Sequence, residues 1–415
     1  FRHNTMPTQL KKRNEGAFFP SYCKPALWIA FVVGFAVLVQ PAAPEQQRAT
    51  SGYTLRGYDE RIQDGIDLIY RLEFAAADRY FGAIIAADPD NPLGHFFLAM
   101  VTWWRVLIDL EDRAHDEAFY RLLEKCIEVC DRRLKRDADD FDAILFKAGS
   151  IGFRGRLRGD RGQYVRAARD GLKTLPLLKR SRLMEPTNKD ILFGQGIYNY
   201  FADVMPRKHP IIRPIMWLLP DGDRKKGLQQ LREVSREGRY ARAEATYFLV
   251  QIYRLFEKDR HRALFYVEKL YARYPENALF HRYTARLLAD LGYWKRSVSL
   301  YQEVVRCSRE GRIGYHVRGH MEALYYLGKH AFYQNRLPAA AAAFKEVDSL
   351  SRSLGKKSDK GYGALSNLLL GMTYDLQGKR RAAMACYKRV QELDGRGDDR
   401  KTARQYLKTP YREGR

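Results

Sequence analysis

A spacing of small and large apolar residues that recurs about every 34 residues constrains the fold of this chain more than any other feature. The clearest unit spans residues 278–311 and has the pattern of two amphipathic helices joined by a tight turn. The positions that define it are Ala285, Leu288, Gly292, Ser297, Tyr301 and Val304. Small residues let the two helices of a pair approach closely, and large residues fill the gap between successive pairs. The spacing therefore predicts an all-α fold of stacked helix pairs.

The same register recurs on both sides of this unit. The matching residues are Gly65, Leu68, Ala77, Phe81, Ile84 and Pro89 near the start; Pro186, Gly196, Asn199, Gly227, Leu231 and Val234 in the middle; Ala263, Val267, Leu270 and Pro275 just upstream; and Leu327, Gly328, Ala331, Ala340, Phe344, Val347, Leu370, Gly371, Tyr374, Gly378, Ala383, Tyr387 and Val390 downstream. We therefore predict about eight antiparallel helix pairs, at 58–91, 92–138, 140–188, 189–238, 241–277, 278–311, 316–352 and 360–394.

These repeated positions make the chain resemble tetratricopeptide repeat (TPR) proteins over residues 58–394. Two stretches, AGSIGFRGRLRGDRGQYVRAARDGLKTL at 148–175 and the region 194–231 that begins GQGIYNYFADVMP, are similar to uncharacterised bacterial exported TPR proteins. The second stretch also resembles, more weakly, the eukaryotic tetratricopeptide-39 and inclusion-body-clearance family. The resemblance implies a right-handed superhelix, or solenoid, and a non-enzymatic adaptor. It carries over no catalytic residue.

The first 51 residues have the pattern of an export segment. Lys11, Lys12 and Arg13 precede an uncharged run at 26–39, whose length suits the apolar core of a signal peptide. Small residues and prolines follow at 40–44, so a cleaved signal peptide and an uncleaved signal anchor both stay open. We predict an exported protein, periplasmic or anchored to the membrane, with a TPR-like domain at 52–394 and a charged tail at 395–415 that frays.

The net charge of +24 is unevenly distributed. Residues 52–146 contain 12 basic and 20 acidic residues, whereas residues 147–182 contain 11 basic and 2 acidic ones. A basic surface of this kind suits an acidic partner, an anionic membrane or nucleic acid. It is equally compatible with a solvated face on arginine-rich helices.

Glycines and arginines alternate in GFRGRLRGDRG, at residues 152–162. The spacing matches neither a phosphate-binding loop nor a dinucleotide fingerprint, and glycine every three or four residues on a helix favours close helix packing. Alternatively, arginines three or four residues apart form an anion-binding face, because they share one side of a helix. The candidate partner-binding residues of this region are Arg154, Arg158, Arg161, Arg166 and Arg169.

A Pro-rich insertion at 206–222 interrupts the fourth helix pair. Its four prolines exclude a long helix, and its apolar cluster must be buried or bound to something. It therefore either plugs the inner groove of the superhelix or contacts a partner or a membrane. The candidate residues here are Arg207, Lys208, Arg213, Trp217 and Leu218.

No pattern in the sequence supports an enzyme or a cofactor site. The cysteines after the leader show no disulfide or metal spacing and are predicted to be buried; they are Cys126, Cys130, Cys307 and Cys386. His316 and His320 are four residues apart, but no third metal ligand is evident. Trp103 and Trp104 lie in an apolar run and are predicted to belong to the core. We predict no catalytic, cofactor-binding or metal-binding residue.

The predicted function is a non-enzymatic scaffold of the cell envelope that binds an acidic or extended segment of a protein partner in the groove of the superhelix. Two alternatives stay open. One is a binder of a polyanion, either nucleic acid or an envelope polysaccharide, although the export segment argues against nucleic acid. The other is a binder of membrane lipid or hydrophobic cargo through the 206–222 insertion.

Overall fold

The computed structural model describes residues 59–208, 221–354, 361–393 and 397–412, and these segments consist of helices joined by short loops. They divide into two compact units after Asn277, which we call the first unit (59–277) and the second unit (278–412). The described part of the first unit contains α1 (Asp59–Tyr70), α2 (Phe74–Ala87), α3 (Pro92–Ile108), α4 (Asp116–Arg136), α5 (Phe141–Asp160), α6 (Tyr164–Met184), α7 (Ile191–Lys208), α8 (Arg224–Glu237), α9 (Arg242–Leu255) and α10 (Arg260–Arg273).

The described part of the second unit contains α11 (Ala278–Asp290), α12 (Trp294–Arg309), α13 (Val317–Tyr333), α14 (Leu337–Leu354), α15 (Tyr362–Leu376), α16 (Arg380–Glu392) and α17 (Gly397–Lys408). In both units each helix packs mainly against the helices next to it along the chain. This arrangement of consecutive pairs confirms the predicted all-α, TPR-like fold.

Side-chain caps set where several helices begin. The Asn91 side chain accepts a hydrogen bond from a backbone N–H two residues on, at 3.1 Å, and Pro92 occupies the first turn of α3, where no backbone donor is needed. Asp140, Asp223 and Asp259 cap α5, α8 and α10 in the same manner. Each cap satisfies a backbone N–H that the first turn of a helix leaves unpaired.

The small residues of the repeat lie where the two helices of a pair touch. A Cβ on Gly328 of α13 would lie 2.7 Å from the Phe344 ring of α14, so only glycine allows this approach. In the preceding pair, the Ser297 hydroxyl donates to the backbone oxygen of Ala285 at 2.8 Å and joins α12 to α11. These contacts confirm the role predicted for the small positions.

The first helix of a pair is buried over most of its surface, whereas the second buries one face. In α13, 12 of 17 residues are buried, against five of 18 in α14. In α9 of the first unit, 12 of 14 residues are buried. These first helices therefore leave few residues exposed, whereas α14 leaves most of its residues at least partly exposed.

Among the described residues of the first unit, the earliest helix contacts the end of the last one. The rings of Tyr70 and Tyr274 stack with centroids 5.1 Å apart, and the Tyr274 hydroxyl donates to Asp67 at 2.8 Å. The Asn277 side chain donates to the backbone oxygen of Tyr70 at 2.8 Å. These contacts join residues about 207 positions apart, so α1 lies against the end of α10.

The segment after Leu393 includes a packed helix that the charge pattern of the sequence does not predict. Arg380 donates to the backbone oxygens of Tyr406 and Leu407, each at 2.8 Å. The ring of Tyr406 lies 5.6 Å from that of Tyr387, and Ala403 is fully buried. α17 therefore covers the end of the last helix pair instead of fraying.

Some of the predicted features lie outside the described residues. These are the export segment at 1–51 and most of the insertion, with Arg213, Trp217 and Leu218. Among the helices that are described, none has the length and apolar character needed to cross a bilayer.

Candidate functional site

The arginines of α5 do not form the exposed basic face that the sequence predicts. The Arg154 guanidinium is buried and donates to Asp170, with a shortest distance of 2.6 Å, and to Glu124 at 2.7 Å. Arg158 donates to the second oxygen of Asp170 at 2.6 Å. Asp170 is 1% exposed, so one buried carboxylate balances two arginines. Buried charges persist only when they are paired in this manner.

Arg161, at the end of α5, has a similar structural role. It donates to both carboxylate oxygens of Asp116 at 2.6 Å and to the backbone oxygen of Leu110 at the same distance. Its side chain is 7% exposed. Arg154, Arg158 and Arg161 therefore hold α5 against its neighbours and are not available as an anion-binding face.

Arg166 and Arg169 differ from these three because they lie on the exposed side of α6. This side also carries Val165, Leu172 and Leu183, which are 69%, 41% and 65% exposed. Half of the six large apolar side chains that are exposed in the described residues lie on this one helix. Separations of seven and eleven residues place the three in one line along a helix of 3.6 residues per turn.

We define the α6 outward face by the exposed residues of the helix. They are Val165, Arg166, Arg169, Leu172, Lys173, Pro176, Lys179 and Leu183. The whole of α6 contains six basic residues and a single acidic one, Asp170, which is buried beneath the face. The face is therefore strongly positive, with an apolar line along its centre.

Arg207 and Lys208 end α7, next to the insertion. The Arg207 side chain is 75% exposed and pairs with Asp203 at 2.6 Å. The Lys208 ammonium lies 4.5 Å from the centre of the Phe256 ring, and this partial burial lowers its pKa. Both residues are exposed, and their role in binding a partner stays a prediction.

A cavity of about 150 Å³ lies inside the first unit. Its walls come from α1, α3, α5, α6, α7 and α9, and they are apolar and rich in aromatic rings. The rings include Phe96, Phe153, Phe193, Trp104 and Phe248. The sequence does not predict this cavity, because its lining residues have no common spacing along the chain.

One charged pair borders the cavity. Arg156 of α5 and Glu244 of α9 approach to 3.9 Å, longer than a hydrogen bond, and Glu244 is 6% exposed. The Arg156 guanidinium lies 4.6 Å from the ring centres of both Trp103 and Phe248, and Trp104 donates to Glu244 at 3.1 Å. Burial raises the pKa of the Glu244 carboxyl, opposed by Arg156 and Trp104.

Two polar atoms of this pair lack a hydrogen-bond partner among the described residues. They are Nη1 of Arg156 and Oε2 of Glu244, and both are buried. The buried hydroxyl of Tyr240, another residue of the cavity wall, lacks a partner as well. Buried polar atoms are normally satisfied, so unpaired ones that border a cavity mark it as a candidate ligand site.

The second unit contains a buried polar network on the inner side of its helix pairs. Glu322 of α13 accepts hydrogen bonds from Arg286 at 2.8 Å and from the Tyr301 hydroxyl at 3.2 Å. Burial raises the pKa of Glu322, but Arg286 and Arg282 outweigh it, so the pKa is lowered. This network is internally satisfied at Glu322 and has a structural role in joining α11, α12 and α13.

Several smaller predictions are confirmed. Cys126, Cys130, Cys307 and Cys386 are free and buried. Trp103 and Trp104 are at most 1% exposed, as expected of core residues. A Cβ on Gly155 would lie 3.1 Å from the Asp170 side chain, which confirms that glycine in α5 permits close packing with α6.

Of the two histidines His316 and His320, only His320 is buried. His320 is 8% exposed and lies 3.5 Å from Glu346, and burial lowers its pKa. Within the described segments, His, Cys, Asp and Glu side chains form no group of three suited to a metal ion.

Comparison with solved structures returns helical repeat proteins. The human IFIT1 dimer with m7Gppp-AAAA is 15% identical over 78% of this chain and 68% of that chain, with a TM-score of 0.41. A TPR protein from Parabacteroides merdae is 14% identical over 75% and 99%, with a TM-score of 0.31. Yeast Tom70 is 10% identical over 85% and 95%, with a TM-score of 0.27. At these scores, the similarity adds no evidence on the fold beyond what the packing of the helix pairs already gives.

No protein-family model matches the sequence, and comparison with curated proteins gives no match. The TPR-type fold is therefore established by the packing of the helix pairs themselves.

Proposed function

We propose that this protein is a non-enzymatic scaffold of the cell envelope that binds an acidic, amphipathic segment of a protein partner. The α6 outward face is the binding surface. The observation that carries the proposal is the exposed line of Val165, Leu172 and Leu183 inside a basic field on one second helix. Exposed apolar residues grouped in this manner mark interaction sites, and the basic field selects acidic partners.

A protein segment fits this face better than a membrane does. Helices that lie in a membrane surface carry a continuous apolar side with aromatic residues. Here Arg169 and Lys179 lie close to the apolar line, and the face contains no aromatic residue. Nucleic acid fits less well, because an apolar line contributes nothing to phosphate contacts.

The apolar line has the length of a short helix. Val165 and Leu183 are 18 residues apart, which corresponds to about 27 Å at 1.5 Å per residue. A partner helix of similar length, with leucines on one side and glutamates beside them, would cover the line and pair with the surrounding basic groups.

The location in the envelope rests on the sequence alone. The basic residues at 11–13 and the uncharged run at 26–39 support export, by either a cleaved signal or an anchor. Amino-terminal sequencing of the chain recovered from envelope fractions would separate the two. A chain that stays in the cytoplasm with its leader intact would refute this part of the proposal.

The binding surface is tested with charge-reversal variants of matched size. Arg169→Glu combined with Lys173→Glu alters the α6 outward face, and Lys295→Glu combined with Arg381→Glu makes the same charge change at exposed sites of the second unit. A photo-crosslinking side chain at Leu172 would report the partner in native envelopes. A fluorescent Leu/Glu amphipathic peptide would report affinity directly.

We expect the peptide to bind the unaltered protein at low salt and to lose about tenfold or more in affinity with the α6 variant only. The crosslinked partner should disappear with the same variant. Equal binding by both double variants would place the surface elsewhere. Flotation with anionic phosphatidylglycerol vesicles, but no peptide binding and no crosslinked protein, would replace the scaffold with a membrane-surface function.

A further inference from the structure

We infer that the cavity of the first unit is a binding site for a small, neutral aromatic molecule that carries a hydroxyl group. This site is separate from the α6 outward face and does not depend on the scaffold function. The inference rests on the size of the cavity, the chemistry of its walls and the two unpaired polar atoms at its border.

The size of the cavity limits the ligand. Its volume of about 150 Å³ is comparable to that of cavities in protein cores that hold one benzene-sized molecule. A single ring therefore fills the enclosed part of the cavity, and a larger ligand would project from its open side.

The walls favour an aromatic ligand. Rings of Phe96, Phe153, Phe193, Trp104 and Phe248 border the cavity from four different helices. Aromatic side chains place other rings in edge-to-face or offset contact, and a planar guest of one ring can contact several of them at once.

The charged pair of Arg156 and Glu244 is the reason that the inferred ligand carries a hydroxyl group. Nη1 of Arg156 can donate a hydrogen bond, and Oε2 of Glu244 can accept one, yet the two groups stand 3.9 Å apart. A ligand hydroxyl that enters between them, with a small movement of the two side chains toward the cavity, would accept from Arg156 and donate to Glu244, so both buried groups would be satisfied at once.

The same pair also explains why the ligand is neutral. The charges of Arg156 and Glu244 balance each other, and the carboxylate of Asp190, which also lines the cavity, already accepts backbone N–H groups of residues 239–241. A charged guest would therefore leave an uncompensated charge. A phenol or a benzyl alcohol meets these conditions, whereas a benzoate does not.

Gly152 provides a way to fill the cavity without disturbing the fold. It lies on α5 and lines the cavity, and a Cβ at this position would meet no atom within 4 Å. Gly152→Leu should therefore occupy the ligand space. Gly82→Leu is the matched control, since Gly82 lies inside α2, away from the cavity wall, and a Cβ there also meets nothing within 4 Å.

The experiment titrates phenol, toluene and benzoate into the full chain at pH 8 and follows heat and tryptophan fluorescence, because Trp104 borders the cavity. We expect one saturable phenol site, toluene binding about tenfold weaker because it leaves the two polar atoms unpaired, and no benzoate binding. Gly152→Leu should abolish phenol binding, and Gly82→Leu should leave it unchanged.

A second variant tests the role of the charged pair. Glu244→Gln retains an oxygen for the Trp104 donor but removes the negative charge. The variant should bind phenol more weakly and should now admit benzoate, which pairs with Arg156. The inference is overturned if neither phenol nor toluene saturates the protein, if Gly152→Leu binds phenol as the unaltered chain does, or if toluene and phenol bind equally.

Discussion

The buried ion pair between Arg286 and Glu322 offers a quantitative test of how the second unit is held together. Both residues are at most 5% exposed, and Glu322 is the partner that balances the Arg286 charge. Glu322→Gln keeps the shape of the side chain and removes its charge. The guanidinium of Arg286 would then stay buried without an anion, and breaking a buried pair on one side costs about 3–5 kcal/mol.

The matched control is Glu310→Gln, which makes the same chemical change on the surface. Glu310 pairs with Arg306 and Arg312, but its side chain is 41% exposed. Exposed ion pairs contribute about 0–1 kcal/mol, because water and salt already screen the charges. The two variants should therefore differ by several kcal/mol in the free energy of unfolding.

The assay is urea unfolding of the full chain, followed by circular dichroism together with hydrogen exchange of peptides from α13. We expect Glu322→Gln to lower the unfolding midpoint and to lose protection throughout α13, while Glu310→Gln changes neither. A loss below about 1 kcal/mol for Glu322→Gln would mean that water or rearranged neighbours satisfy Arg286, and the structural role assigned to the network would be wrong.

Two further predictions concern the second unit. Gly371→Ala should lower the free energy of unfolding by about 1–3 kcal/mol in thermal or urea denaturation, because a Cβ there would overlap the fully buried Tyr387 ring. An unchanged free energy of unfolding would mean that α15 and α16 move apart at no cost to make room for the Cβ. Burial lowers the pKa of His281 to about 4, so its imidazole stays neutral in the folded protein down to about that pH. In the unfolded chain, His281 takes up a proton once the pH falls below its ordinary pKa of 6.5. Stability should therefore fall as the pH drops from about 6.5 to 4, and the dependence should be weaker in His281→Asn; equal pH profiles for the two chains would contradict this assignment.

The sequence by itself determined the type of fold. Residues such as Ala285, Gly328 and Tyr387 belong to one helix pair each, so their spacing along the chain is already their arrangement in space. The contacts between Gly328 and Phe344 and between Ser297 and Ala285 are local to a repeat, and the pattern predicts both.

α17 has only a short charged sequence of its own, and its helix is stabilised by contacts with α16.

Only the tertiary structure decided which charges are exposed and where a cavity lies. Arg154 and Arg169 belong to the same basic stretch, yet the first is buried against Asp170 and the second faces solvent, because α5 is the inner helix of its pair and α6 the outer one. Arg156 meets Glu244 across 88 residues, and no local spacing encodes that distance. Repeat patterns specify contacts within a pair of helices and between neighbouring pairs. The contact between α1 and the end of α10 depends instead on the sum of the small rotations from each pair to the next.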